Sequence, residues 1–328
     1  MGAFDALSVD HIRIYTADLA EAAARYAGYG LAELSRAAEP GARSVMLGRG
    51  GVRLLLTEPG SADHPGTAYL DRHGEGVADI ALAVADPGAA YREAVARGAT
   101  PVRPGTIEGF GDVAHTFTRR APTPQPGEPG DLELVDHFAV CVPAGGMRPA
   151  IERYGRTLGF DLVFTERITV GGQAIETKAI QNHGVTFTLI EPDTSREPGQ
   201  IDAFLERHGG PGVQHVAFTT ADIVNAVLRC RERGVEFLET PAEYYRLLHD
   251  RLDVGRHPLT DLRRLSILAD ADHDGQLFQI FTRTAHPRET LFFELIERLG
   301  ARTFGGGNIR ALYEAVELHR AGTVTAAA

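Results

Sequence analysis

The chain predicts an α+β protein made of tandem strand–helix–strand modules, arranged as two open β-barrel domains with the helices outside. Three observations predict it. The same plan of short β-forming runs and amphipathic segments occurs on both sides of a proline-rich break. The β-forming runs alternate apolar and polar residues with a period of two, as in Val185-Thr186-Phe187-Thr188-Leu189-Ile190. Glycine follows the helical segments, as at Gly98 and Gly234, where a left-handed residue ends a helix at no steric cost.

In order, the first module opens with the strand-like Ser8-Val9-Asp10-His11-Ile12-Arg13-Ile14-Tyr15, followed by a helical segment from Leu19 to Tyr26 and a Gly28-Tyr29-Gly30 turn. A second opens at Gly74 and runs through Val77 to Leu82 into a helical segment from Ala89 to Arg97. Four prolines between Arg119 and Gly130 break all periodicity, which predicts an extended linker over 121–131 between domains 1–120 and 132–328. Beyond it Val135-Asp136-His137-Phe138-Ala139-Val140 repeats the first strand, with a helical segment from Pro149 to Leu158. Gly209 to Ala217 repeats the second opening, with a helical segment from Ala221 to Arg233. Single modules are too small to bury an apolar face, so each pair is expected to wrap one sheet. The first strands of a pair are then expected to face each other across the barrel, bringing His137 and His215 together.

Composition narrows the partners. A net charge of −11 disfavours nucleic acid and anionic membrane, and nowhere do 18 apolar residues run together. Two cysteines, Cys141 and Cys230, imply no disulfide framework, and Met1 to Val9 lacks a basic region followed by an apolar one, so a cytoplasmic location is expected. A small molecule is the expected partner, and homo-oligomerisation is left open.

The chemistry-bearing candidates are His137 and His215, each at the front of an apolar strand, and Glu294, flanked by Phe292, Phe293, Leu295 and Ile296. A strand histidine among 13 is more often a hydrogen-bonded core residue, and a strand carboxylate more often faces solvent. Both faces around Glu294 are apolar, however, and a carboxylate buried there without a cation or metal would cost several kcal/mol, on the order seen for uncompensated buried charge. Two histidines and one carboxylate on separate strands are the ligand set of a mononuclear non-haem Fe(II) site with open positions.

The duplicated pattern resembles the vicinal oxygen chelate fold. The carboxy-terminal half is similar to the 2-oxo acid dioxygenases of the 4-hydroxyphenylpyruvate dioxygenase family. The resemblance rests on Pro198-Gly199-Gln200-Ile201-Asp202-Ala203-Phe204-Leu205, Gly212 to Phe218, Leu277-Phe278-Gln279-Ile280-Phe281, Phe292 to Arg298, and Phe304-Gly305-Gly306-Gly307-Asn308-Ile309-Arg310. It implies Fe(II) on His137, His215 and Glu294, a 2-oxo acid and O2 as co-substrates, and oxidative decarboxylation of the substrate's own side chain. It also implies a metal-free amino-terminal half, in which His11 repeats His137, Asp79 stands for His215, and His115 is not placed in register.

Product choice is implied by the aromatic pocket. Ring attack gives homogentisate, and hydroxylation of the benzylic carbon gives 4-hydroxymandelate. Ring-attacking members carry asparagine where this chain has Ile190, and phenylalanine where it has Ile309; isoleucine at both resembles the mandelate-forming branch. Thr177, Thr188, Gln279 and Asn308 are the candidate polar contacts to substrate, and the helical segment 308–318 after Gly305-Gly306-Gly307, read as a hinge, is the candidate lid. Homogentisate formation, ring cleavage, isomerisation and simple ligand sequestration by the same fold stay open at this level.

Overall fold

The computed structural model describes residues 2–119, 131–303, 305–308 and 310. The proline-rich segment before Asp131, Ile309, and the remainder of the 308–318 segment beyond Arg310 lie outside them. Four βαβββ modules follow one another. The first holds β1 (Ser8–Tyr15), α1 (Leu19–Ala27), β2 (Ala32–Glu39), β3 (Ala42–Arg49) and β4 (Val52–Pro59). After α2 (Pro65–His73), the second holds β5 (Gly76–Val84), α3 (Pro87–Ala96), β6 (Pro101–Arg103), β7 (Thr106–Glu108) and β8 (Ala114–Arg119). The third holds β9 (Leu132–Cys141), α4 (Met147–Leu158), β10 (Asp161–Val170), β11 (Gln173–Asn182) and β12 (Val185–Pro192). After α5 (Gln200–His208), the fourth holds β13 (Gly212–Thr220) and α6 (Ile223–Glu232), then α7 (Ala242–Arg251) and α8 (Leu259–Leu265) as an insertion, then β14 (Leu268–Ala271), β15 (Gln276–Phe281) and β16 (Phe292–Leu299).

Each pair of modules makes one curled eight-stranded sheet, ordered β2-β3-β4-β1-β5-β8-β7-β6 and β10-β11-β12-β9-β13-β16-β15-β14. Here one expectation is corrected. The first strands of a pair do not face each other across a barrel; β9 and β13 are antiparallel, hydrogen-bonded neighbours at the centre of the sheet, as are β1 and β5. Antiparallel pairing places opposed residues about 5 Å apart, closer than any barrel lumen allows.

The period of two sorts each central strand into faces. Phe138 and Val140, Phe187 and Leu189, Val216 and Phe218, and Phe293 and Leu295 turn to the helices and form one buried apolar cluster with Ile12, Ile14 and Leu56 of the first sheet. Full burial of each such side chain is worth roughly 1.5–3 kcal/mol. The alternate residues line the concave faces.

The helices are locked to the sheets by a repeated device. Carboxylates near the ends of β4, β12 and β16 accept the first amide of the helix in the same module: Glu58 from Leu19 N at 3.0 Å, Glu191 from Met147 N at 2.7 Å, Glu297 from Ile223 N at 2.8 Å. This satisfies an orphan N–H and complements the helix dipole. In the second module the helix begins at Pro87, which has no N–H, and the equivalent position on β8 is Arg119. The device also accounts for the cluster of Asp222, His257 and Glu297, whose groups come close enough for a metal. Glu297 is already committed to Ile223 N, His257 and Arg256, and Asp222 to Asn225.

The two sheets are joined through polar as well as apolar contacts. Glu75, before β5, accepts Thr16 Oγ1, Ala17 N and Arg25 Nη1, and its second oxygen lies 2.9 Å from Nδ1 of His286, just before β16. Burial opposes its charge, but these partners from His286, Thr16 and Arg25 outweigh burial and pull its carboxyl down to about 2. A depressed carboxyl stabilises the fold above its unfolded value and loses that contribution as pH falls through the folded one. Acid unfolding of the native chain is therefore expected to steepen between about pH 4.5 and 2. Glu75→Gln should flatten that window and lower neutral stability by about 2–3 kcal/mol. A Glu75→Gln protein with the unchanged acid profile in circular dichroism titration would contradict this.

Candidate metal centre

The concave face of the second sheet gathers the predicted residues. Register runs continuously across it. His137 on β9 opposes Ala217 on β13, Ala217 opposes Glu294 on β16, and Glu294 opposes Phe281 on β15. One pair along, Thr188 on β12 opposes Ala139 on β9, Ala139 opposes His215 on β13, and His215 opposes Phe292. Directly opposed residues share a face, so both histidines and the glutamate point into one concavity, with Ala217 and Ala139 between the larger groups.

The three donors converge. Nε2 of His137 lies 3.4 Å and Nε2 of His215 3.5 Å from Oε2 of Glu294, and all three side chains are buried. Burial opposes a proton on His137, but the carboxylates of Glu294 and Asp136 overcome it and lift the imidazole to about 9. Burial, with His137 alongside, holds His215 well below the usual imidazole range. One cationic and one neutral imidazole around a buried carboxylate is what a trio of metal donors looks like when protons stand in for part of the metal's charge. The rings of Phe292 and Phe281 enclose His215, with centroids 4.9 and 5.8 Å away.

Three of the candidate substrate contacts, Thr177, Thr188 and Gln279, lie on the same face. Thr177 on β11 opposes Ile190 on β12, and Ile190 opposes Cys141 on β9. Gln279 on β15 opposes Ile296 of β16, two residues along from Glu294. Thr177 Oγ1, Thr188 Oγ1, Gln279 Oε1, Asn308 Nδ2 and His215 Nδ1 are buried without a hydrogen-bond partner. Buried polar atoms left so are rare, and each is worth about 1–3 kcal/mol to satisfy. All five belong to residues singled out from sequence, and Thr177, Thr188, Gln279 and His215 share this face, so its buried polar atoms have hydrogen-bonding capacity left over. Ile190 joins Ala139, Cys141, Ile168, Ile175, Ile201 and Phe204 in an apolar wall to which α5 contributes the last two.

Asn308 is fully buried, and its Oδ1 accepts the hydroxyl of Tyr244 at 2.8 Å. The glycines before it are closely packed. A Cβ on Gly306 would meet Glu166, one on Gly307 would meet Arg251, and Gly305 has φ +60 against Asp270. These positions are glycine because the segment is pressed into a charged cradle.

The amino-terminal sheet shows what became of the duplicate. His11 takes the place of His137, and Asp79, opposite Arg13, takes that of His215. The parallel pairing of β5 with β8 then puts Thr116 where Glu294 stands. His115, one residue off, faces the helices, where its Nε2 is 2.6 Å from the hydroxyl of Tyr154 and burial pushes it down to about 4. Asp79 instead accepts Thr116 N, Thr116 Oγ1 and Arg103. A guanidinium therefore serves the carboxylate, and the described residues there offer no metal triad.

Sequence reasoning missed several contributors: Ala139 and Ala217 as spacers, Phe281 and Phe292 as walls, and Asp136 with Arg298 behind His137. The Asp-His dipeptide, present at both 10–11 and 136–137, was a legible signal for the last of these.

Residues 134–280 match the Glyoxalase/Bleomycin resistance protein/Dioxygenase superfamily, and residues 10–117 match it again. A "Probable 4-hydroxyphenylpyruvate dioxygenase 2" of Aspergillus fumigatus is 32% identical over 95% of this chain and 93% of its own length. The 4-hydroxyphenylpyruvate dioxygenase of Danio rerio is 29% identical over 95% and 90%. The chain belongs to the 4-hydroxyphenylpyruvate dioxygenase family. Within it, a triply substituted 4-hydroxymandelate synthase from Streptomyces coelicolor is 40% identical, with a TM-score of 0.87 over 97% of this chain and all of that one. Membership of this dioxygenase family fits two curled sheets with helices outside and a donor trio on one of them. No helix among the described residues is long and apolar enough to cross a membrane.

Proposed function

We propose that this dioxygenase converts 4-hydroxyphenylpyruvate and O2 into 4-hydroxymandelate and CO2, using Fe(II) held by His137, His215 and Glu294. The donor set fits that ion: two imidazoles and one carboxylate, buried and convergent, with small alanines beside them. When bound, Fe(II) supplies a redox centre with positions left for the substrate's 2-oxo acid group and O2. The reaction balances without a second 2-oxo acid, one oxygen atom entering the new carboxylate and the other the benzylic carbon.

The chain's own residues do the aiming. From His215 across Ala139 to Thr188 is two strand spacings, about 10 Å, a reach that suits an arylpyruvate lying over Ala139. The unpartnered hydroxyls of Thr177 and Thr188 are then available to a para-hydroxyl, and Gln279 and Asn308 to polar groups nearer the other end. The observation that carries the benzylic outcome is Ile190 on this face, between the two threonine positions and within an apolar wall. An asparagine there would present an amide to the ring; isoleucine presents only shape, and placement differences of an ångström decide which carbon is nearest to reaction. Ile309 is assigned the same role from sequence. Exclusion of water by the wall also protects the reaction from side paths.

The test is anaerobic loading with Fe(II), addition of 4-hydroxyphenylpyruvate and O2, and identification of products by chromatography and mass. Expected are 4-hydroxymandelate and CO2 in equal amounts. Ile190→Asn with Ile309→Phe should slow turnover and raise homogentisate relative to mandelate about tenfold, the effect of a barrier difference of about 1.4 kcal/mol. Homogentisate as the main product of the unmodified chain would return it to the activity for which the fungal and fish relatives are named.

A further inference from the structure

Behind His137 lies a relay that the function above does not use. Its Nδ1 is 2.8 Å from Oδ1 of Asp136, a half-buried carboxylate. Asp136 is gripped by both arms of Arg298, Nε to Oδ2 at 2.7 Å and Nη2 to Oδ1 at 2.8 Å. The third nitrogen of the same guanidinium, Nη1, donates to the carbonyls of Thr303 at 2.8 Å and Ala301 at 3.3 Å. Those carbonyls belong to the loop that leads from β16 to Gly305 and Asn308. Asp272 pins the other side of that loop through Arg302 N, Thr303 N and Thr303 Oγ1, each at 2.8 Å.

A fork with two parallel bonds to one carboxylate fixes its plane, which a single point charge cannot do. A carboxylate so fixed sets which imidazole nitrogen carries the proton and how the ring is turned. The amino-terminal sheet provides the comparison. There His11 sits 2.8 Å from Asp10, but the guanidinium on Asp10 is Arg53 of β4, through one bond of 3.1 Å. The Asp-His pair thus recurs where no donor trio exists, whereas the two-armed clamp that also holds loop carbonyls is found beside the trio.

We propose that Arg298 is a positioning residue that couples His137 to the loop after β16, so that seating of residues 301–303 and correct presentation of His137 Nε2 depend on each other. The proposal rests on the reading of His137 as a metal ligand. Because coupling is reciprocal, metal binding should tighten the loop, and loosening the loop should weaken metal binding.

Full-length metal-free protein is titrated with Co(II) as a spectroscopic probe, affinity being measured by chelator competition and loop order by hydrogen exchange at the amides of Arg302 and Thr303. In the native chain Co(II) should slow exchange at both amides. Arg298→Met should weaken Co(II) binding about 10- to 100-fold, as loss of such outer partners does, alter the Co(II) absorption bands, and abolish the metal-dependent slowing. Arg298→Lys, which keeps charge but not the fork, should fall between, and it carries the test if the methionine variant does not fold. Native affinity, bands and slowing in either folded variant would overturn the coupling. Loss of Co(II) in His137→Ala alongside that outcome would leave the ligand reading standing; stoichiometric Co(II) in His137→Ala would remove the ligand reading itself.

Discussion

Glu294→Ala is expected to eliminate stoichiometric Fe(II) and all oxygen uptake while leaving the sheet intact. Glu294 is the only carboxylate in the buried trio with His137 and His215, and removing it leaves two imidazoles with no negative charge among them to offset that of a cation. Losing an outer partner of a metal ligand already costs about 10- to 100-fold, so losing the ligand carrying the negative charge should cost more. The fold should survive because β16 keeps its ladders to β13 and β15. Glu294→Gln separates charge from volume, since it fills the same space and should lose metal nearly as completely. Metal analysis, oxygen consumption and far-ultraviolet circular dichroism together check this; full activity with one iron per chain in Glu294→Ala would sink the assignment.

Ala217→Leu should be as damaging with all three donors still present. Ala217 is wholly buried and stands in register between His137 and Glu294, sharing their face. Three added carbons there compete for the volume in which the donors meet, and overpacking of this kind typically costs about 1–3 kcal/mol of stability. The expected result is a folded protein of reduced melting temperature that no longer holds metal. Ala217→Gly, which adds nothing, should retain it. A leucine variant that binds iron with native affinity would show that the ions sit elsewhere on this face.

Much of this was legible beforehand, for identifiable reasons. The period of two along Phe187-Thr188-Leu189-Ile190 follows from strand geometry, so the assignment of Thr188 and Ile190 to one face needed no tertiary information. Glu294 could be singled out because an ionised carboxylate among phenylalanines has few stable fates. Helix bounds shifted by a residue or two: α4 begins at Met147, α3 at Pro87, and α6 at Ile223, since caps such as Asp86 and Asp222 set starts that hydrophobic pattern locates only coarsely.

His115 marks the limit. Local pattern places it in a strand, but whether it joins His11 and Asp79 depends on how β8 aligns with β5, and a slip of one residue exchanges the faces. The structure puts it against Tyr154 and gives Thr116 the ligand-equivalent position.

The sequence by itself determined the four repeated modules, the three candidate donors, and the alternation that gives each strand a polar and an apolar side, because these follow from covalent geometry and short-range pattern. Only the tertiary structure decided that β9 and β13 are neighbours, that Arg103 serves Asp79 in the first sheet, and that Arg298 reaches across to grip Asp136. Those are pairings between groups distant in the chain, selected by register and by the need of every buried charge for a partner, and no local window contains both members.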